Sequence, residues 1–328
     1  MKEMAPGKRE INYLRISITD RCNLRCIYCM NEEGINFLAH DEVLSYEEIL
    51  HLVRVSVQGG IRKVRLTGGE PLVRKGFIPF LEKLSGIHEL DEITLTTNGV
   101  LLEEYAEAIR NCGICRLNIS LDSLKAERFH GITRRDCFDR TLAGIHAAER
   151  AGFDPIKINV VAMRGINDDE LVDFARLTME KPYHIRFIEF MPMGDSNGWE
   201  QKRFIPTEEI HQRIKVLGPL NPLPNHRLDG PASRYKIEGA TGEIGFIGPL
   251  SHHFCDRCNR LRLTADGQLR GCLFSDSEID VKTPMREGRP DSFLLELIRQ
   301  AIRSKPLDHG SLEAKPKKCV RPMSAIGG

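Results

Sequence analysis

Hydrophobic and polar residues alternate with a period of two in six short segments of the chain, which predicts six β-strands. The strands are predicted at residues 11–18, 61–67, 92–97, 116–121, 155–162 and 184–191. Helical patterns lie between them. In the first of these, Ser45 and Glu48 are spaced as a capping box, and Gly59 and Gly60 end the helix. Strands and helices therefore alternate as in a chain of parallel strands joined by crossover helices. This predicts an α/β fold with a partial (β/α)6 barrel of the TIM type, reactive at the carboxyl ends of its strands.

One set of alternate strand positions is apolar and should face the helices, whereas the other set is polar and should face inward. The inward set comprises Arg15, Ser17, Arg65, Thr67, Thr94, Thr96, Asn118, Ser120, Lys157, Asn159, His184 and Arg186. An ordinary barrel fills its interior with bulky apolar side chains. A cationic interior instead indicates a cavity for an anion; the alternative is an open sheet with one solvated face.

Composition sets further limits on the interpretation. The chain has 328 residues, which is long enough for a barrel at 1–200 followed by a smaller α+β domain at 201–328. No long apolar run or signal-peptide pattern appears, so we expect a cytoplasmic protein without a membrane partner. Its formal net charge of +1 argues against nucleic-acid binding.

Cys22, Cys26 and Cys29 form a CxxxCxxC array directly after the first strand. In a reducing compartment, ten cysteines, several of them in tight groups, are more typical of metal ligands than of disulfides. Three thiolates suit a structural zinc site poorly, because such a site needs four ligands. They fit a [4Fe–4S] cluster that keeps one iron open to a small molecule.

This array, with Tyr28 before its last cysteine, resembles the radical S-adenosylmethionine superfamily. The segment LTGGEPL at 66–72 resembles the glycine-rich segment of the same superfamily. The resemblance implies that the open iron binds the amino and carboxylate groups of S-adenosylmethionine. It also implies a set of residues lining this cofactor: Tyr28, Gly69, Glu70, Ser120 and Met191.

Cys255, Cys258 and Cys272 form a second set of three, which a hairpin through TADGQL would bring together. Spacing alone leaves the metal open, because His252 or His253 could complete a zinc ribbon. Arg260 and Arg262 share one face of the segment between these cysteines and would add positive charge to the barrel mouth.

Both cysteine motifs, together with Gly327 and Gly328 at the end of the sequence, resemble the GTP 3′,8-cyclase family of molybdenum cofactor biosynthesis over essentially the whole chain. The resemblance implies a second [4Fe–4S] cluster that contacts the guanine of GTP, and a Gly-Gly tail that enters the cavity and is needed for catalysis. It implies triphosphate binding by Arg15, Arg65, Thr96, Lys157, Arg186, Arg260 and Arg262.

The implied enzyme is a lyase that uses a 5′-deoxyadenosyl radical to abstract the ribose 3′ hydrogen of GTP. The product is (8S)-3′,8-cyclo-7,8-dihydroguanosine 5′-triphosphate, the first intermediate of molybdopterin synthesis. The same resemblance implies a reducing electron donor, a homodimer and transfer of the product to the next enzyme of the pterin pathway. The alternatives are a radical enzyme with an auxiliary cluster acting on another substrate, and a regulatory module with two zinc sites.

Cys112 and Cys115 also form a CxxC pair, at the point where a helix leads into the fourth strand. We expect them to be buried structural thiols away from the chemistry. The amphipathic pattern at 292–305 predicts a helix that covers the second domain.

Overall fold

A computed structural model describes residues 4–5, 9–193, 200–224, 230–306, 319, 321 and 323–327. The strands are β1 (Met4–Ala5), β2 (Arg9–Glu10), β3 (Tyr13–Ser17), β4 (Lys63–Thr67), β5 (Glu92–Thr97), β6 (Leu117–Ser120), β7 (Ile156–Ala162), β8 (His184–Glu189), β9 (Leu220–Leu223), β10 (Ser233–Ile237), β11 (Glu243–Ile247), β12 (Arg260–Leu263), β13 (Gln268–Arg270) and β14 (Ile279–Asp280). The helices are α1 (Tyr46–Gln58), α2 (Phe77–Ser85), α3 (Leu102–Asn111), α4 (Ala126–Thr133), α5 (Phe138–Arg150), α6 (Leu171–Glu180), α7 (Thr207–Ile214), α8 (Lys282–Arg286), α9 (Asp291–Arg303) and α10 (Met323–Ile326).

The six predicted strands are confirmed as β3 to β8, which pair in parallel in sequence order. They form the open partial barrel that the alternation of strands and helices predicts. The capping box that starts α1 is also confirmed, because the Ser45 hydroxyl accepts from the Glu48 N–H and the Glu48 carboxylate accepts from the Ser45 N–H. The apolar set of alternate strand residues packs beneath the helices, and together with the inner faces of those helices it forms the core.

Strands from the second half of the chain extend this sheet at both edges. β12 pairs in parallel with β3, and β11 pairs in parallel with β8. One twelve-stranded sheet results, in the order β14-β13-β12-β3-β4-β5-β6-β7-β8-β11-β10-β9. The C-terminal strands therefore continue the barrel wall, and the predicted boundary near residue 200 falls within one continuous sheet.

One expectation about the outer surface needs correction. Cys115 is exposed and Cys112 is only half-buried, so this pair is not a buried structural unit. Helix α9 packs on β13 of the second half and also on α1, where Leu295 and Ile298 lie against Gly59. In the described part of the chain, every helix is too short or too polar to cross a bilayer.

Candidate active site

One cavity of about 270 Å³ lies inside the partial barrel and collects almost all of the predicted site residues. Its lining includes Cys22, Cys26, Cys29, Tyr28, Gly69, Glu70, Ser120, Met191, Arg15, Arg65, Thr96, Arg186, Arg260, Arg262, Cys255, Cys258 and Cys272. Lys157 and Gly327 lie outside this lining, and Gly328 lies outside the described residues. The polar set of alternate strand residues therefore faces a cavity and not bulk solvent.

The glycine-rich segment after β4 holds the loop that carries the first three cysteines. The Gly69 N–H donates to the Thr19 carbonyl at 2.7 Å, and the Glu70 N–H donates to the Arg21 carbonyl at 2.8 Å. A Cβ atom on Gly69 would lie 2.3 Å from the Arg21 carbonyl oxygen. The glycine is needed because two backbone segments touch here, which fixes the start of the CxxxCxxC array.

The first three cysteines lie in a buried environment that disfavours their ionised form. Burial, with the nearby Glu70 carboxylate, raises the pKa of Cys22 to about 11, and burial also raises the pKa values of Cys26 and Cys29 above that of an ordinary cysteine. Metal ligation requires thiolates, and a bound cation favours the deprotonated form. Beside them the Tyr28 hydroxyl donates to Asp122 at 2.6 Å.

The second set of three cysteines has the opposite electrostatic environment. Burial alone would raise the pKa of Cys258, yet the positive charges of Arg260 and Lys305 lower it to about 6. The Lys305 ammonium is buried and donates to the carbonyls of Arg260 and Gly271, at 2.9 and 2.6 Å. These cations favour thiolate ligands, and the hairpin of β12 and β13 brings Cys272 to the same cavity.

The two sets lie toward opposite ends of the cavity wall. β12 runs parallel to β3, with Arg260 opposite Tyr13. Cys258 precedes β12, whereas Cys22 follows β3, so the first set lies at the carboxyl end and the second at the amino end of these strands. The barrel pattern alone predicts reactive groups only at the carboxyl ends of the strands. The structure places a second set of cysteines at the amino ends as well. Arg260 and Arg262 accordingly belong to the wall and not to the barrel mouth.

A row of guanidinium groups crosses this wall. Arg262 on β12 lies opposite Arg15 on β3, which lies opposite Arg65 on β4. Burial and the neighbouring Arg262 and Arg65 lower the pKa of Arg15 well below its usual value. Adjacent like charges repel across a sheet, so this row is suited to an anion with several charges, which arginine forks bind bidentately.

Lys157 lies close to the row without lining the cavity. On β7 it is opposite Asn118 and His184. Burial, together with Arg186 and Arg65, lowers the pKa of its ammonium to about 6. A polyanion in the cavity would favour the charged form of this side chain.

The end of the chain enters the site from the second half of the structure. The Gly327 carbonyl accepts from Arg15 Nε at 2.7 Å and from Arg262 Nη1 at 3.3 Å. Gly327 has a φ of +76°, and a Cβ atom on it would lie 2.8 Å from Ser17 Cβ and 2.9 Å from Thr67 Cγ2. A glycine is therefore required at this position for both its backbone conformation and its packing.

Two contacts anchor the segment that leads to Gly327. Arg321 donates to both carboxylate oxygens of Asp266, at 3.1 and 2.9 Å, and to Glu278 at 2.8 Å. The fully buried Cys319 accepts from Arg270 Nη2 at 3.1 Å. Asp266 lies in the turn between β12 and β13, so the tail is tied to the hairpin that carries Arg262 and leads to Cys272.

The lining also fits an organic ligand with polar groups. Thr96 Oγ1, Asn159 Oδ1 and Ser324 Oγ are buried and without a hydrogen-bond partner, and all three residues line the cavity. Native proteins rarely leave buried polar atoms unpaired except where a ligand binds. Among the described residues, no three or more His, Cys, Asp or Glu side chains are grouped so as to hold a single metal ion. His252 and His253 are not part of the cavity lining.

Sequence comparisons identify both halves of the chain. Residues 16–178 match the radical SAM superfamily, and residues 183–311 match the family described as Molybdenum Cofactor Synthesis C. The chain is 49% identical over 321 residues to the GTP 3′,8-cyclase of Moorella thermoacetica, and 52% identical over 322 residues to that of Thermodesulfovibrio yellowstonii. Each alignment covers 98% of both proteins. The chain belongs to the GTP 3′,8-cyclase family.

Structural comparison agrees with this family fold. The crystal structure of Streptococcus suis SuiB bound to S-adenosylmethionine has a TM-score of 0.63 at 15% identity, covering 97% of this chain and 77% of SuiB. SuiB bound to its precursor peptide SuiA gives 0.61 at 14% identity, with 97% and 76% coverage. The shared fold includes the C-terminal half, since nearly the whole chain is covered.

Arg9, Asp122 and Lys305 are among the lining residues that the predicted set of site residues does not contain. Asp122 has the inward parity of Ser120 and lies just beyond the end of β6, so extending the strand by two residues would have found it. Arg9 donates to the carbonyl of Cys255 across the molecule. Neither it nor Lys305 has a local signal in the sequence, because their contacts depend on long-range packing.

Proposed function

We propose that this protein is the lyase that cyclises GTP to (8S)-3′,8-cyclo-7,8-dihydroguanosine 5′-triphosphate, in the first step of molybdenum cofactor biosynthesis. The observation that carries the proposal is the cavity itself, in which two sets of three free cysteines flank a row of arginines. Relatives with about half of their residues identical to those of this chain are GTP 3′,8-cyclases.

Each end of the cavity has residues for one [4Fe–4S] cluster. Cys22, Cys26 and Cys29 would hold the first and leave one iron for S-adenosylmethionine. When bound there, the reduced cluster and S-adenosylmethionine supply the organic radical that starts the reaction. The lining around this end provides the cofactor subsite, which we assign to Tyr28, Gly69, Glu70, Ser120 and Met191.

The other end would hold the purine. Cys255, Cys258 and Cys272 would ligate the second cluster next to the guanine, with the nearby Arg260 and Lys305 favouring the ionised form of Cys258. Phe254 lines the cavity beside these cysteines, with the Arg260 guanidinium 5.3 Å from its ring centroid. The pair offers a flat apolar and cationic surface on which a purine can stack.

The triphosphate would lie along the cavity wall, against Arg15, Arg65 and Arg262. The remaining members of the proposed triphosphate set are Thr96, Lys157, Arg186 and Arg260. Gly327 fixes the side chains of Arg15 and Arg262 through its carbonyl, so the tail positions two of the phosphate-binding groups. We assign Gly327, with Gly328 beside it in sequence, to the catalytic machinery on this basis.

We infer the cellular setting from the same chemistry. The described cysteines are all free thiols, as expected of a cytoplasmic protein. A reducing protein must supply one electron at a time to the first cluster, and the cyclised nucleotide must pass to the next enzyme of the pterin pathway. We propose that the protein acts as a homodimer.

The proposal is tested anaerobically with protein reconstituted with iron and sulfide. We expect about eight irons per chain, from two four-iron clusters. With dithionite and S-adenosylmethionine, 5′-deoxyadenosine should form substantially with GTP and little with ATP, CTP or UTP, and a cyclised nucleotide should appear by mass spectrometry. Cleavage that is indifferent to the nucleotide would refute the assignment of GTP as substrate.

Changing Arg65 to alanine should raise the KM for GTP by about 10-fold or more, because a charge-assisted hydrogen bond to phosphate contributes ~1.5–3 kcal/mol. Lys157→Ala should raise the KM as well, through the lost positive charge. Steady-state kinetics of 5′-deoxyadenosine formation measure both effects. Arg54→Ala, at an exposed position of α1, is the matched control. An unchanged KM in both Arg65→Ala and Lys157→Ala would contradict the triphosphate assignment.

A further inference from the structure

Asn159 presents a buried hydrogen-bond acceptor to the cavity. Its side-chain oxygen Oδ1 is buried and has no hydrogen-bond partner, and the residue lines the cavity. Thr96 and Ser324 also have unpaired oxygens, but a hydroxyl can either donate or accept. The amide oxygen of Asn159 can only accept, so it specifies the chemistry of its partner.

The partner must carry a hydrogen-bond donor. The oxygens of a triphosphate and the carboxylate of S-adenosylmethionine are acceptors, and neither can pair with an amide oxygen. The amino group of S-adenosylmethionine is a donor, but in the proposed function it binds the open iron of the first cluster. Within a nucleotide, the available donors are the ribose hydroxyls and the N–H groups of the base. Which of these meets Asn159 depends on its position along the cavity.

Strand register places Asn159 between the two proposed subsites. On one side it lies opposite Ser120 of β6, which belongs to the proposed cofactor subsite. On the other side it lies opposite Arg186 of β8, which belongs to the proposed triphosphate set. The substrate group that joins the phosphates to the base, and that must face the cofactor for hydrogen abstraction, is the ribose.

We propose that Asn159 Oδ1 accepts a hydrogen bond from a hydroxyl of the substrate ribose and thereby selects ribonucleotides and orients the sugar toward the cofactor. This inference rests on the proposed function, because it takes GTP as the substrate. It identifies Asn159 as a specificity-determining residue in addition to the cation row.

The test compares nucleotide affinities between the unmodified protein and a variant at position 159. Both proteins carry both clusters, and S-adenosylmethionine is absent. Equilibrium dialysis measures the Kd of GTP, 2′-deoxy-GTP and 3′-deoxy-GTP for the unmodified protein and for Asn159→Ala. We expect one deoxy analogue to bind the unmodified protein about 5- to 10-fold more weakly than GTP, as for the loss of one hydrogen bond. In Asn159→Ala, the affinity for GTP should fall by the same factor. The deoxy analogue that binds the unmodified protein weakly should then bind this variant as tightly as GTP does.

Two further variants control for general effects. Asn159→Asp keeps a hydrogen-bond acceptor, so this variant should still bind the deoxy analogue more weakly than GTP. Its negative charge should lower the affinity for all three nucleotides. Asn111→Ala, an exposed asparagine at the end of α3, should match the unmodified protein throughout. Circular dichroism and iron content report whether each variant is folded and fully loaded.

The inference is overturned if Asn159→Ala keeps the full penalty for the deoxy analogue, or if the unmodified protein binds all three nucleotides equally. Asn159→Ala could instead lose affinity for S-adenosylmethionine while its Kd values for the three nucleotides stay unchanged. That result would assign the amide to the ribose of the cofactor and would also overturn the inference. Failure of the unmodified protein to bind GTP would instead refute the proposed function, which is a distinct result.

Discussion

Gly327→Ala should lower turnover by about 100-fold or more while leaving the iron content unchanged. Alanine at a φ of +76° is strained, and its Cβ would lie within 3 Å of Ser17 and Thr67. The chain end must shift, so its carbonyl no longer accepts from Arg15 and Arg262. Two cations that bind phosphate then lose their fixed geometry, which affects the reaction steeply.

The measurement compares kcat and iron per chain for this variant with those of Gly288→Ala. Gly288 has nearly the same φ, +75°, but no atom lies within 4 Å of a Cβ built on it. The control therefore carries the backbone strain without the clash that alanine at position 327 makes with Ser17 and Thr67. Wild-type turnover in Gly327→Ala would show that the inserted tail is not needed for catalysis.

Cys26→Ala and Cys258→Ala should each reduce the iron content from about eight to about four atoms per chain, but with different consequences for the reaction. Loss of the first cluster removes the site of S-adenosylmethionine cleavage, so 5′-deoxyadenosine should fall to background. Loss of the second cluster leaves the first set of cysteines intact at the other end of the cavity. Cleavage should then persist at a reduced rate while the cyclised nucleotide disappears.

Iron analysis, electron paramagnetic resonance and product quantification on the same preparations separate these cases. Cys115→Ala is the matched control, because that thiol is exposed and does not line the cavity. Full iron content in Cys258→Ala, or cyclised product from it at the normal rate, would remove the second set of cysteines from the mechanism.

The barrel wall could be predicted from the sequence because its signal is local. In a strand, the side-chain direction is fixed by parity, so the polar set containing Arg15 and Arg65 was identified as inward-facing without any knowledge of pairing. The capping box of α1 is local in the same way, since Ser45 and Glu48 are three residues apart. The structure confirms both.

The position of the second set of cysteines depended instead on long-range pairing. The hairpin through residues 264–267 was predictable from its turn residues, but its alignment beside β3 was not. That alignment places Arg262 next to Arg15 and puts Cys258 at the amino end of the strands. Side-chain periodicity within one segment contains no information about which distant strand will lie next to it.

The role of Gly69 shows a related limit. A pair of glycines after a strand indicates that another group approaches the backbone closely, but it does not identify that group. The structure shows that the protein's own Arg21 carbonyl is the neighbour. The residue type was therefore informative, whereas its partner required the tertiary structure.

The pairing of β3 with β12 also has a consequence for biosynthesis. During translation, the six barrel strands emerge before β11 and β12, which cover the outer edges of β8 and β3. Until then the nascent barrel has two unpaired edges, and such edges promote association with other chains. Pairing between distant segments also slows folding. Recombinant yield should therefore respond to slower synthesis at low temperature and to chaperone supply more than to any change in the site.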